Sequence, residues 1–532
     1  MAKESHSMVL ALEQGESNHL EKIAPQIDAA KEGTNVETSI TLRQAFSYYK
    51  KAVAWCFCIS LLTIMEAYDM MIVNSAYGLP QFQRSFGEQL PNGNYSVPAR
   101  WQLGISLATV VGLIIGTFSN GYFADRFGPR RVIMVSLFFL NGTIFISFFA
   151  KSPGMLLAGE FLCSIPWGFF AGGVPAYAAE VCPLKLRGYL TTYVNLCWVM
   201  GNLLGTGVMR AFLPIPNEWA WRIPFGIQWL WPLPLFIATY YAPESPWWLV
   251  KQNRPQEAEK TLDRIVTAPP GAINNHNTVA MMQHTIELER SLNIGTSYIQ
   301  CFKGTNLRRT EIAMIAWGCQ ILPGFSIQSY ITYFFTLAGV PAGDAFKLAL
   351  GNFSLAFIGT VSSWFTQTYF GRRTIYMTGL CFMVPIMWTV GFLELGSNDT
   401  TRWVQAGLLM FWFLCYGTTI GPIPYIIAAE VGASQLRVKT ICLGRNTYYF
   451  LNFINVIAAP YMLNPSEGNL KGKAAFPAAV STICLLAWAY FRLPEMKQRT
   501  PEELDTLFDR KVSARNFKKE GEILARERAV GN

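Results

Sequence analysis

Glu66 and Asp69 stand three residues apart in the stretch LLTIMEAYDMMIVNS, Leu61 to Ser75, inside an apolar segment that begins near Ala52. A helix turns once in about 3.6 residues, so residues three apart lie on neighbouring parts of one face. A charge at the middle of a bilayer costs about 2.5–3.5 kcal/mol on insertion scales, so an acid there faces a wet cavity or a partner. A carboxyl so placed can take a proton from one side and release it to the other. Two more ionisable residues lie in apolar segments, Glu160 in MLLAGEFLC and Arg445 in LGRNTYY. With Glu66 and Asp69 they form a candidate proton-coupling set. The competing reading is a static ion cluster that only fixes packing.

The elements that hold these residues follow from composition. Hydrophobic residues make up 51 % of the 532 and charged residues 14 %, against roughly 25 % charged in soluble proteins. Charge is confined to the two ends, one middle stretch and short punctuations. Between them run twelve apolar segments: 53–75, 101–123, 131–150, 155–178, 189–209, 223–242, 312–337, 346–368, 374–395, 403–428, 440–461 and 474–492. About 20 apolar residues span a bilayer as a helix. Backbone in lipid must satisfy its own hydrogen bonds, and the alternation of a β-barrel is absent. The expected fold class is an all-α membrane protein of twelve transmembrane helices in two six-helix bundles. The expected organisation is a tail over 1–50, a bundle over 51–242, a central loop with short helices over 243–310, a second bundle over 311–493 and a tail over 494–532. Within the loop, PQEAEKTLDRIV from Pro255 to Val266 has the spacing of an amphipathic helix.

The net charge of +9 is placed for a membrane and not for nucleic acid. Arg126, Arg130, Arg131, Lys185, Arg187, Arg372, Arg373, Arg437 and Lys439 all follow even-numbered spans, whereas the opposite connections are poor in Lys and Arg. The positive-inside rule then puts both termini and the even-to-odd loops in the cytoplasm. The sequons Asn94-Tyr-Ser and Asn398-Asp-Thr fall on the other side. The polar first 45 residues hold no signal-peptide core, so the first span is expected to act as its own insertion signal. The eleven cysteines are mostly within spans, with no disulfide framework or metal spacing. His6, His19, His276 and His284 all lie outside the spans. No nucleophile–base pair appears, and an enzyme, a metal site and a cofactor are not expected.

The halves repeat. AAEVCPLKLRG carries Glu180 and Arg187; AAEVGASQLRV carries Glu430 and Arg437, each pair 250 residues apart. ADRFGPRR after span 2 answers TYFGRR after span 8, and APESPWW with Glu244 answers LPEMKQRT. Parallel repeats suit a carrier whose site lies between the halves near midplane. Asp125, Arg126, Arg130, Arg131, Glu180, Arg187, Glu244, Glu430 and Arg437 are the candidate cytoplasmic gate, with Asp125 free to pair with an arginine of the next connection. Thr368 stands where a second Asp125 would be.

These motifs resemble those of the major facilitator superfamily, and within it the sugar porter family, over about residues 50 to 500. The stretches AYGLPQFQRSFG, PFGIQWLWPLPL, APESPWWLV and GRNTYYF are most similar to fungal α-glucoside (maltose-type) permeases. The resemblance implies alternating access in a plasma-membrane carrier, working as a monomer with a sugar and protons as its partners. It places Glu160 where many sugar–proton symporters have an arginine, which leaves Arg445 as the candidate cation and Asp69 as the proton carrier. It matches Gln320 to the family's span-7 glutamine, with Ile321 in place of the second. Gly421 and Tyr425 fall where the family has a glycine and a sugar-stacking tryptophan. Gln328, Tyr330, Asn195 and Asn352 complete the expected sugar contacts. The function so implied is proton-coupled import of an α-glucoside. The alternatives are a hexose facilitator without proton coupling, a non-transporting sugar sensor and a metabolite exporter.

Overall fold

A computed structural model gives the architecture. It describes residues 28–523, apart from 31, 34–35, 37–38, 90–92, 293–297, 325–326, 329, 338–339, 397, 433–435, 464–467, 469 and 498–500. A few side chains within helices, including those of Arg187 and Arg437, also lie outside the described set.

The twelve apolar segments are helical. In chain order they are α1 (Lys50–Ala76), α2 (Ala99–Phe127), α3 (Pro129–Phe148), α4 (Pro153–Val181) and α5 (Leu184–Phe212). Then come α6a (Trp219–Ile227) and α6b (Pro232–Tyr241), α7a (Gly304–Gly318) and α7b (Ile331–Leu337), α8 (Ala342–Tyr369) and α9 (Arg372–Leu393). The last are α10a (Asp399–Thr418) and α10b (Ile423–Val431), α11 (Arg437–Leu463) and α12 (Ala475–Arg492). Eight helices among the described residues are long and apolar enough to cross a membrane. The remaining four spans are shorter, interrupted or more polar, each for a visible reason. α6 is interrupted by a single 3-10 turn, Gln228–Leu230, before Pro232. α7 breaks after Pro323 at Gly324, whose φ of +119° favours glycine. α5 and α11 carry polar residues that include Asn195, Asn202, Arg445 and Asn452.

The repeat is visible in the packing. In the first half α1 packs on α5, α2 on α4 and α3 on α6b; in the second α7a packs on α11, α8 on α10a and α9 on α12. The halves meet along two seams, α5 on α8 and α2 on α11, which the repeat also relates. Small residues let the backbones close, as is usual between membrane helices. A Cβ on Gly116 would stand 2.1 Å from the Ile165 carbonyl oxygen, and one on Gly359, 243 residues later, 2.6 Å from that of Leu414.

The polar segments gather at one end. Pro255–Ile265 forms the expected amphipathic helix and buries Ala258, Leu262 and Ile265, spaced four and three apart. The Thr267 amide donates to the Tyr48 carbonyl at 2.6 Å, tying the N-terminal segment to the central loop. At the same end the Arg309 guanidinium sits 4.4 Å over the Phe508 ring and holds the C-terminal helix Pro501–Asp509. At the other end a two-residue antiparallel hairpin pairs Glu88–Gln89 with Tyr95–Ser96.

Gly116→Ala is expected to lower stability by about 1–3 kcal/mol through overpacking. Gly142→Ala, where an added Cβ meets nothing within 4 Å, is expected to leave it unchanged or raise it slightly, since alanine is the better helix former. Thermal unfolding of the detergent-solubilised variants measures both.

Candidate functional site

The four ionisable residues expected in one set are all in the membrane interior, divided between two neighbourhoods. Asp69 is 1 % exposed and Glu66 5 %. Three residues of helix turn the side chain by about 60°, and packing uses that difference. Asp69 faces its own half. Its Oδ1 accepts from Gln228 Nε2 at 2.6 Å and its Oδ2 from Trp167 Nε1 at 3.2 Å. The Glu160 carboxyl, two turns from Trp167 on α4, lies beside that of Asp69. Two carboxyls so close disfavour both being ionised. Glu160 Oε1 also accepts from Ser147 Oγ at 3.1 Å. Gly159 permits this, for a Cβ there would lie 2.4 Å from that hydroxyl. Gln228 reaches Asp69 from the 3-10 turn that interrupts α6.

Glu66 instead lies in the field of Arg445, across the interface on α11. The Arg445 guanidinium carbon is 4.9 Å from the Trp317 ring centroid, 4.7 Å from that of Tyr448 and 4.9 Å from that of Tyr449. Rings in this position attract a cation through their quadrupoles. Tyr425 and Tyr449 also lie in the field of Arg445.

Beside Arg445 a cavity of about 40 Å³ opens between the halves, room for about three water molecules. Asn195, Trp198, Gln320, Thr360, Tyr416, Tyr425 and Tyr448 share its wall with Arg445. Gln320 Nε2 donates to the Gly421 carbonyl at 2.5 Å, which turns the amide at the α7a end into the wall. Tyr425 packs edge-on to Trp317, centroids 4.4 Å apart. Of the residues expected to touch sugar, Asn195, Gln320 and Tyr425 line the cavity, and Gly421 holds Gln320 through its backbone. Gln328, Tyr330 and Asn352 are not among its lining residues. Asn352 Nδ2 donates to Gln328 Oε1 at 2.7 Å, and Gln328 Nε2 to the Leu409 carbonyl at 3.1 Å. That bridge ties α8 and α10a to the Gln328 segment. The Tyr330 and Ser106 hydroxyls, 3.3 Å apart, join the halves elsewhere.

The sequence reading missed Gln228, Trp167, Ser147, Trp198 and Tyr448. The repeat carried a signal for the last two. Asn195 and Trp198 on α5 are 250 residues before Arg445 and Tyr448 on α11, the same offset that relates Glu180 to Glu430.

At the end that gathers the polar segments, each half is fastened by one glutamate. Glu244 Oε1 accepts from the Arg130 amide at 3.2 Å, at the start of α3. Glu495 accepts from the Arg372 and Arg373 amides at 2.9 and 3.2 Å, at the start of α9. A carboxylate at a helix N-terminus satisfies free N–H groups and complements the dipole. Burial pushes the Glu244 carboxyl above the usual carboxylate range, against these donors. Arg130 reaches back to the Tyr240 carbonyl and Arg373 to that of Tyr490. Arg372 pairs with Glu430 at 3.0 Å, whereas its counterpart in the first half is Pro129; there Glu180 accepts from the Ser245 hydroxyl. The Asp125 carboxylate is exposed and forms no ion pair among the described residues, whereas its carbonyl accepts from Trp248 Nε1 and Gln252 Nε2, both at 2.9 Å. Arg126 turns to the Tyr122 hydroxyl at 2.9 Å, and Arg131 is exposed. The side-chain contacts expected of Arg187 and Arg437 lie outside the described residues.

Twin six-helix bundles enclosing a polar cavity, with buried carboxyls beside it, define a membrane carrier. Residues 55–508 match the family described as "Sugar (and other) transporter", and the chain belongs to that family of transporters. It is 38 % identical over 495 residues to the general alpha-glucoside permease of Saccharomyces cerevisiae, covering 92 % of this chain and 80 % of that one. It is 37 % identical to the maltose permease MAL31 of the same yeast, covering 92 % and 81 %. Its fold is that of the major facilitator superfamily. A structure of the proton:xylose symporter XylE superposes with a TM-score of 0.70 at 18 % identity, over 86 % of this chain and 99 % of that one. The inward open XylE from E. coli gives 0.66 at 20 % identity, over 86 % and 99 %.

Glu495→Ala leaves two amide groups at the start of α9 without their acceptor. By analogy with lost N-caps, it is expected to cost about 0.5–2 kcal/mol. The check is the thermal midpoint of the purified variant, with Asp125→Ala, which removes no ion pair among the described residues, expected to match wild type.

Proposed function

We propose that this transporter imports an α-glucoside of the maltose type together with a proton, by exposing the cavity between its halves to each side in turn. The observation that carries the reading is the Asp69–Glu160 contact. Two carboxyls brought together in a membrane interior disfavour both being ionised, so the pair holds a proton that a change in their surroundings can release. A purely structural ion cluster would give each acid a cation, and among the described residues only Glu66 faces one. The cavity wall supplies amides, hydroxyls and rings, the mixture that recognises a sugar's hydroxyl rim and apolar faces. The α-glucoside and maltose permeases named above support the substrate class, and the symporter name of XylE supports coupling.

In this reading Asp69 carries the proton, Glu160 shares it, and Gln228 and Trp167 hold the charged form of Asp69. Glu66 and Arg445 attract one another across the interface, so the balance of charge in the N-terminal half bears on how the halves close. Gln320, Asn195 and Tyr425 hold the sugar. The arginine-rich connections support a cytoplasmic location for both termini, by the positive-inside rule. Each bundle pair encloses its own cavity, so a monomer suffices. The polar end with Glu244 and Glu495 is the cytoplasmic gate.

Uptake of maltose, trehalose, sucrose, cellobiose and glucose by transporter-deficient yeast at acid and neutral pH tests this reading. Maltose-type uptake by the wild type is expected to alkalinise a weakly buffered medium. Asp69→Asn is expected to lose accumulation against a gradient and the alkalinisation while retaining exchange of internal for external sugar. Normal accumulation by Asp69→Asn would remove the proton assignment. Sugar entry without alkalinisation by the wild type would favour a facilitator.

A further inference from the structure

We propose that Trp198 is a substrate-contacting, specificity-determining residue: the ring with which the N-terminal half covers the second sugar unit of a disaccharide anchored in the C-terminal half. The inference rests on the proposed α-glucoside transport and adds the residue that separates a disaccharide from a hexose.

The cavity wall is lopsided. The C-terminal half supplies Gln320 and Arg445, with the rings of Phe413, Tyr416, Tyr425 and Tyr448. The N-terminal half supplies Asn195, Trp198 and Val199, all from α5, and Trp198 is the one ring among them. A hexose held by the amide of Gln320 and the rings around Arg445 finds its contacts in one half. A second hexose unit needs an apolar platform on the facing wall, and Trp198 is the described side chain there that can offer one.

The duplication places it. Asn195 and Trp198 are one turn apart on α5, and Arg445 and Tyr448 are one turn apart on α11, each 250 residues on. α5 and α11 occupy equivalent places in the two bundles, and residues from both reach the same cavity. Trp198 and Tyr448 are therefore twin rings on opposite walls, one from each half. A single pyranose ring meets one platform; two linked rings meet both.

α5 also cannot retreat from the substrate. One turn beyond Trp198, a Cβ on Gly201 would stand 2.3 Å from the Ile64 carbonyl oxygen and 2.6 Å from Ala67 Cβ on α1. The wall that carries Trp198 is thus set directly against the stretch of α1 that carries Glu66 and Asp69.

The test compares Trp198→Leu and Trp198→Phe with wild type in transporter-deficient yeast, with surface amount read from a fluorescent tag. The measurements are the KM for maltose and inhibition of maltose uptake by glucose. Trp198→Leu is expected to raise the maltose KM about tenfold, the scale of one lost ring contact. The glucose inhibition constant is expected to stay at the wild-type value, and Trp198→Phe to recover most of the maltose affinity. An unchanged ratio of maltose to glucose affinity in Trp198→Leu overturns the assignment, as does equal weakening of both sugars. If Trp198→Leu fails to reach the membrane, Trp198→Phe and Trp198→Tyr decide: KM values following the loss of ring area support the platform, and values that ignore it reject it. A wild type that transports no glycoside of the panel removes the functional reading itself; a wild type that transports maltose with an unaltered ratio in the variants removes only the role of Trp198.

Discussion

A carboxyl in hydrocarbon must be given hydrogen-bond donors by other helices, and the N-terminal half is arranged around that need at Asp69. The backbone of α1 cannot serve, because the helix spends its own N–H groups on its own carbonyls. The donors come from α4 through Trp167 and from the interrupted α6 through Gln228. α3 enters through Ser147, which partners Glu160. Two spans are thereby held to α1, and α3 to α4, by polar contacts that lipid could not replace. The break in α6 is part of the same arrangement, since Gln228 lies in the turn before Pro232 where the regular helix stops.

The C-terminal half meets the same constraint with a cation. Arg445 is surrounded by Trp317, Tyr425, Tyr448 and Tyr449, whose ring faces and hydroxyls take the place of water. The duplicated halves have thus diverged in chemistry: one concentrates acids, the other a guanidinium and the majority of the cavity rings. The Glu66–Arg445 attraction crosses the boundary between them. That places the electrostatic link between the halves at the wall of the cavity.

Most of the fold was legible in the sequence because bilayer thickness imposes a length on every span, and duplication imposes an offset on every motif. The two glutamates that cap α3 and α9 were legible as APESPWW and LPEMKQRT for the same reason. The division of Glu66 from Asp69 was not. Spacing of three says only that two side chains point within about 60° of one another, and which neighbour fills each direction is decided by packing. Gln328 and Asn352 show the same limit, for an amide in a span reads alike whether it lines a cavity or bridges two helices. Gln228 was hidden because WLWPLPL reads as one more apolar stretch. Asp125 carries a charge typical of a clasp, yet the carbonyl and not the carboxylate makes the contacts.

Pro129 stands where its twin carries Arg372, so the Arg372–Glu430 pair has no equivalent at that position of the N-terminal half. The C-terminal joint contains a full ionic attraction, which dissolved electrolyte weakens. In the N-terminal joint the Ser245 hydroxyl donates to Glu180. A rise in the salt content around that end therefore weakens a contact of the second bundle that proline, having no charge, cannot reproduce at the matching position of the first.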